Sequence, residues 1–267
     1  MGLRINPNNP ALEIQRLTQQ TTGRLLEGLQ QQATQQRVNN ASDDASGLAI
    51  VQRFETQLRQ FNQEINNLQG AVSVTQTADG ALATQQAGVQ RLNELALQAS
   101  NGTLTDDQRQ TLNAEAQQIV AQIDETAQNT EFNGTQLLDG SQTTVNVGAG
   151  DTQVTLNEST AAALGLGGVD LTTQAGANAA LSTTDTALRQ LDQNRASLGA
   201  QSNRFERAIE SRETQTANTR ESQSQIRDLD LAQSVLSQTR NQLLLQGQVN
   251  GLLNASFSGE AALRLLT

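Results

Sequence analysis

The sequence contains no cysteine, histidine, lysine, tryptophan or tyrosine, so all seventeen of its basic residues are arginine. Those absences remove thiolate nucleophiles, imidazole bases, Schiff-base amines and the usual nitrogen and sulfur metal ligands together. Catalysis would have to rest on Asp, Glu, Ser, Thr and Arg. Carboxylate pairs do hydrolyse glycosides, but such sites hold sugar on aromatic platforms, and aromatics make up 2% of this chain. The same scarcity argues against one thick globular core, because large rings supply much of the buried area in compact domains. Proline occurs only at Pro7 and Pro10, so nothing downstream forbids long uninterrupted helices. The composition predicts a slender, mainly α protein that is not an enzyme and needs no catalytic, cofactor or metal residue.

No apolar run approaches the length of a membrane span. The start, Met1-Gly2-Leu3-Arg4-Ile5, leads into Asn-Pro rather than the apolar stretch of a secretory signal. Neither a signal peptide nor membrane insertion is expected. A net charge of −10 argues against nucleic acid as a partner, since such surfaces need a basic footprint. The charge is unevenly placed. Residues 1–47 balance to zero and residues 228–267 carry −1, which leaves −9 in the middle of the chain. Near-neutral ends can crowd together while an acidic middle prefers water, a partition suited to an assembly whose termini lie inside.

Periodicity supplies the positive signal. After Asn40-Ala41-Ser42-Asp43-Asp44, a cluster suited to capping a helix start, apolar residues fall at Val51, Phe54, Leu58, Phe61, Ile65, Leu68 and Val72. Steps alternating three and four mark a coiled-coil seam. The seam then frays, with Asp79, Gln86 and Asn93 on one track and Leu82, Val89 and Ala96 on the other. A helix over 48–100 cannot be stable alone and must lie against partners. A second helix is predicted from the Thr105-Asp106-Asp107 cap to about Gln128, with Leu112, Ile119 and Ile123 on its face. A third carries Leu181, Leu188, Leu191, Leu198, Phe205 and Ile209. The three make a long antiparallel bundle contributed by both chain ends.

Between the helices, Glu131-Phe132-Asn133-Gly134 and Leu138-Asp139-Gly140 are turn signals. Alternation at Thr143, Val145, Val147 and at Thr152, Val154, Leu156, about Gly148-Ala149-Gly150-Asp151, predicts a small β-hairpin near 143–157. Residues 160–178 are expected to be a covering loop.

The ends form a separate unit, expected over 1–47 and 221–267, with the helical rod over 48–220. One terminal helix carries Leu12, Leu17, Leu25 and Leu29, and the other Leu231, Val235, Leu245, Val249 and Leu252. Each stripe is narrow, so both helices are expected to be loose in the free chain and to order on assembly. These leucines and valines are the candidate assembly residues. Gln30 to Gln36 is expected to be a polar connector. The acidic pairs Asp43-Asp44, Asp106-Asp107 and Asp228-Leu229-Asp230 sit at helix starts, where carboxylates satisfy free amides, and lack a calcium-loop ladder. Asn101-Gly102-Thr103 and Asn133-Gly134-Thr135 match a glycan acceptor formally, but serve as turns.

Several motifs resemble those of bacterial flagellins. Ser42-Asp43-Asp44-Ala45-Ser46-Gly47-Leu48-Ala49-Ile50 looks like the start of the flagellin rod helix. So do Gln76-Thr77-Ala78-Asp79-Gly80-Ala81-Leu82 and Gln90-Arg91-Leu92-Asn93-Glu94-Leu95-Ala96 within that helix. Thr130-Glu131-Phe132-Asn133-Gly134 resembles the turn after the second helix, and Leu198-Gly199-Ala200-Gln201-Ser202-Asn203-Arg204-Phe205 the returning one. The motifs follow the family's order over nearly the whole chain. The resemblance implies a homopolymer, the extracellular filament of the flagellum, in a minimal form without variable outer domains. It also implies export without a cleaved signal, a chaperone on the C-terminal helix, and hook-associated and cap proteins as partners. Gln90, Arg91, Glu94, Leu95 and Glu115 fall where vertebrates' Toll-like flagellin receptor reads the family. Two departures, Gln35-Gln36-Arg37-Val38 in the connector and the ending Ala261 to Thr267, leave the hook–filament junction protein as an alternative, and an unrelated helical adhesin as a third reading.

Overall fold

The computed structural model describes the backbone of residues 9–148 and 152–264, and the side-chain packing of 11–148 and 152–255. Residues 1–8, 149–151 and 265–267 lie outside the described residues. Helices dominate: α1 (Asn9–Thr34), α2 (Ala45–Ala99), α3 (Asp106–Asn129), α4 (Gln174–Arg227) and α5 (Leu231–Arg264). Two antiparallel strand pairs lie between α3 and α4: β1 (Glu131–Phe132) with β2 (Thr135–Gln136), and β3 (Thr144–Asn146) with β4 (Gln153–Thr155). The mainly α architecture with long helices at both ends and a small central β-hairpin matches the sequence reading.

The chain divides into two compact units, one of residues 1–58 with 217–267, the other of 59–216. The second unit holds one continuous core. Leu82, Leu92, Leu95 and Ile123 are fully buried, and from α4 so are Leu191 and Phe205. Each such side chain contributes about 1.5–3 kcal/mol by leaving water. The fraying of the α2 seam has a structural cause. Asp79 pairs with Arg195 at 2.8 Å, Gln86 donates to Asp192 at 2.9 Å, and Asn93 donates to Thr184 at 2.7 Å. That track faces α4 through polar rungs while Leu82, Val89 and Ala96 enter the core. The descending α4 numbers opposite ascending α2 numbers make the pair antiparallel.

Local chemistry sets the boundaries. Thr105 caps α3 by a reciprocal box: its hydroxyl accepts from the Gln108 amide, and the Gln108 side chain accepts from the Thr105 amide. At Asn133-Gly134 both residues take positive φ, +51° and +75°. Asn-Gly is the pair that tolerates this in a two-residue hairpin turn, so the turn signal closes the β1–β2 ribbon. In the main hairpin Val145 opposes Val154, and Val154 and Leu156 are buried.

The expected loop over 160–178 is not a loose cover. It contains a short 3-10 turn, Leu166–Gly168, and buries Leu164, Leu166, Val169 and Leu171. Asn113 accepts from the Leu171 amide at 2.9 Å and Gln117 donates to the Val169 carbonyl at 2.7 Å. Aperiodic leucines among Ala, Gly and Thr hide this seating, because a segment shaped by tertiary contacts needs no repeat. Helix α4 also begins at Gln174, earlier than its first seam leucine.

Candidate assembly interface

Helices α1 and α5 pair antiparallel and pack against each other along their length. Gln248 Nε2 donates to Thr21 Oγ1 at 3.0 Å and Gln32 Nε2 donates to Ser234 Oγ at 3.2 Å. The seam positions on α1, partly or fully buried, are Ala11, Ile14, Thr18, Thr21, Leu25, Gly28 and Gln32, with Gln31 partly buried beside them. On α5 they are Ser234, Gln238, Asn241, Leu245, Gln248, Leu252 and Ala255, with Gly251 partly buried beside them. Both sets step by three and four, the spacing of a coiled-coil seam. The side chains are mostly small or polar, which permits the close approach. The most buried of all are the hydroxyl residues Thr21 and Ser234, 6% and 8% exposed.

The candidate assembly residues therefore divide. Leu25, Leu245 and Leu252 lie half-buried in the seam. Leu12, Leu17, Leu29, Leu231, Val235 and Val249 are exposed. Leu26, Leu236, Leu243, Leu244 and Leu253 are exposed as well, and the sequence reading missed them. Tracing apolar periodicity finds one stripe per helix, whereas here the stripe that touches the partner helix is polar and the leucines surround it. Scattered exposed leucines are ordinary on a surface; a helix pair whose leucines mostly face outward is not.

The junction beside this pair is held by backbone. Gln35 takes φ +58° and ends α1, so Gln30 to Thr34 are helical and the connector starts later than the glutamine run suggests. Glutamine is a good helix former. The Arg37 amide donates to the Arg227 carbonyl at 2.6 Å and the Leu229 amide to the Gln35 carbonyl at 3.1 Å. Glu55 and Arg227 pair at 2.6 Å. Asp44 and Asp230 cap helix starts, whereas Asp43 closes the turn before α2 and Asp106 and Asp107 lie in the first turn of α3 behind the Thr105 cap. Asp44 Oδ1 accepts from the Gly47 amide at 2.8 Å, and Asp230 Oδ1 from the Ala232 amide at 3.0 Å. Asp43 Oδ2 accepts from the amides of Asn39 and Asn40 at 3.0 and 2.9 Å. These backbone donors hold both the Asp43 and Asp44 carboxyls below the usual carboxylate range, with Ser46 adding to the effect at Asp44.

The candidate receptor residues lie on α2 and α3. Arg91 reaches Glu115 at 2.8 Å and Glu94 at 3.1 Å, and these contacts raise its pKa. Gln90, Arg91 and Glu94 are exposed and Glu115 is partly exposed. Leu95 is not on that surface: it is 1% exposed, inside the core. Beside Arg91 a cleft of about 220 Å³ runs between Gly88 and Ile119.

These features define a structural protein, with buried helix seams, capped termini and an apolar girdle around its end helices. Comparison with known proteins agrees. Residues 5–143 match the bacterial flagellin N-terminal helical region and residues 181–254 its C-terminal helical region. The chain is 32% identical to a flagellin of Halalkalibacterium halodurans, over 98% of this chain and 99% of that one. It is 31% identical to the flagellar filament 31.3 kDa core protein of Treponema maltophilum over the same shares. A solved structure assigned as a flagellar hook-associated protein from Vibrio parahaemolyticus shares the fold, with TM-score 0.60 at 16% identity, covering 70% of this chain and all of that one. The chain belongs to the flagellin family, whose members form the extracellular flagellar filament, and it is a structural filament protein rather than an enzyme. Full-length likeness to filament subunits favours that reading over the junction protein, for which the 16% likeness speaks to fold alone. Among the described residues, no helix is long and apolar enough to cross a membrane.

Proposed function

We propose that this chain polymerises with copies of itself into the flagellar filament used for swimming. Residues 1–47 and 221–267 form the inner, assembling part, and 48–220 a rod outside it without a large outer domain. The observation that carries this reading is the outward display of leucines on α1 and α5. A monomer gains nothing from that display, whereas neighbouring copies burying it would gain about 1.5–3 kcal/mol per leucine. The near-neutral charge of both ends allows such crowding. Export without a cleaved signal, a chaperone on α5, and contacts with hook-associated and cap proteins belong to the same proposal.

Seeded growth tests it. Purified chain added to short sheared filaments at neutral pH should elongate them steadily. A chain cut before Leu252 should lose elongation and keep the cooperative melting of the 59–216 core. Elongation by the truncated chain would overturn the terminal-helix mechanism, and a well-folded full chain that never elongates seeds would overturn self-polymerisation. A second reading rests on the exposed Arg91–Glu115–Glu94 cluster: recognition by the Toll-like flagellin receptor through Gln90, Arg91, Glu94 and Glu115.

A further inference from the structure

We infer that the polar rungs between α1 and α5 are a register lock: the Gln248–Thr21 and Gln32–Ser234 bonds select one alignment of the two helices and so decide which leucines face neighbouring copies. This inference rests on the assembly reading above and adds to it the residues that specify the assembling surface.

Four observations converge. The seam steps by three and four on both helices, and one antiparallel alignment sets Gln32 against Ser234 and Ile14 against Gly251, with Gln248 reaching about one turn diagonally to Thr21. Apolar side chains are a minority of that seam, so hydrophobic contact distinguishes poorly between this alignment and one slipped by a turn. Leucines surround the seam on both helices, so a rotated pair would bury a leucine stripe instead. The rungs oppose this. The Thr21 hydroxyl donates to the Leu17 carbonyl at 2.9 Å, which leaves its lone pairs for Gln248, and both hydroxyl residues are more than nine-tenths buried. A one-turn slip that brings Gly247 opposite Ile14 moves the helices by about 5.4 Å and breaks both bonds, stranding buried polar groups. Buried polar residues in coiled-coil seams commonly fix register at some expense of stability. Gln248 carries that expense here, since its buried Oε1 has no partner.

The test reads register directly and separately from growth. The chain has no cysteine, so introduced thiols report alone. Ile14→Cys with Gly251→Cys reports the observed alignment, because a side chain at 251 would lie 3.5 Å from Ile14 Cδ1. Ile14→Cys with Gly247→Cys reports a one-turn slip. Each pair is placed in the parent and in a chain carrying Thr21→Val, Gln248→Leu, Gln32→Leu and Ser234→Ala, which removes both partners of each rung and leaves no orphan. Crosslinking is measured in the free chain and in filaments grown from parent seeds, with melting of the 59–216 core as the folding control. The parent should favour the first pair by about tenfold or more, two hydrogen bonds of ordinary net worth. The rung-free chain should lose that preference, keep or raise its helical stability, and elongate seeds poorly. Thr21→Gln with Gln248→Thr, which exchanges the partners of one rung, should restore the preference. A rung-free chain that still crosslinks through 14 and 251 as the parent does would overturn the lock, as would a parent that crosslinks equally through both pairs. If the rung-free chain fails to fold, the chain lacking only the Gln32–Ser234 rung carries the same test. Failure of the parent to elongate seeds would instead refute the assembly reading, with the crosslinks still deciding register.

Discussion

Arg109 Nε donates to the carbonyl of Ala99 at 3.1 Å, so the start of α3 closes the end of α2. The same guanidinium donates to the Leu104 and Asn101 carbonyls, each at 3.0 Å, and its side chain is 9% exposed. Helix C-termini leave carbonyls without partners, and a planar fork with several donors serves the last one of α2 together with two in the loop that follows. Arg109→Met should destabilise the 59–216 unit by about 2–4 kcal/mol, the loss of charge-assisted bonds plus stranded carbonyls. Arg109→Lys should recover only part of that. Urea unfolding followed by circular dichroism gives both values, and a midpoint unchanged by Arg109→Met would refute the account.

Arg91 and Leu95 separate recognition from stability. Leu95→Ala truncates a core side chain and should lower stability by about 2–5 kcal/mol, with any loss of receptor response following from unfolding. Arg91→Ala should leave melting close to the parent and reduce reporter-cell activation by free chain. Equal activation by the parent and the Arg91→Ala chain would exclude the exposed cluster as a contact.

The cap before α2 should respond to acid. Asp43 and Asp44 have folded pKa values below their ordinary value of 3.8, so their contribution is present above that value and lost as pH falls through the folded pKa values. Amide exchange at Gly47 and Leu48 should therefore accelerate below about pH 4, where free carboxyls begin to protonate. Asp44→Ala should show fast exchange at both amides at neutral pH. Exchange indifferent to both changes would mean that the carboxylates do not hold the helix start.

Outward leucines should matter for growth and not for the monomer. Leu236 and Leu243 are 72% and 64% exposed, so changing both to Gln should alter monomer stability by no more than about 0.5 kcal/mol. Seeded elongation should slow at least about tenfold, the equivalent of one leucine left unburied. Unchanged elongation would remove these two from the interface.

The long helices were legible because burial along a rod repeats. Leu82, Val89 and Ala96 had to recur on one face, and the Thr105 cap follows from side-chain chemistry within four residues. Leu164, Leu166 and Leu171 were not legible as core, because nothing local distinguishes a seated leucine from one on a loose loop. The α1–α5 seam was hidden for a different reason. Its buried members are Thr21 and Ser234, and a search for apolar periodicity passes over them.

By itself the sequence determined the helical architecture, the absence of thiol, imidazole and amine side chains, and the membership carried by motifs along both halves of the chain. These depend on composition and on patterns of a few residues. Only the tertiary structure decided that Asp79 pairs with Arg195, that Leu95 lies inside while Arg91 lies outside, and that the end helices meet largely through hydroxyls and amides with most leucines turned away. Each of these depends on which distant segment lies opposite, and burial is a property of the pair rather than of either strip of sequence.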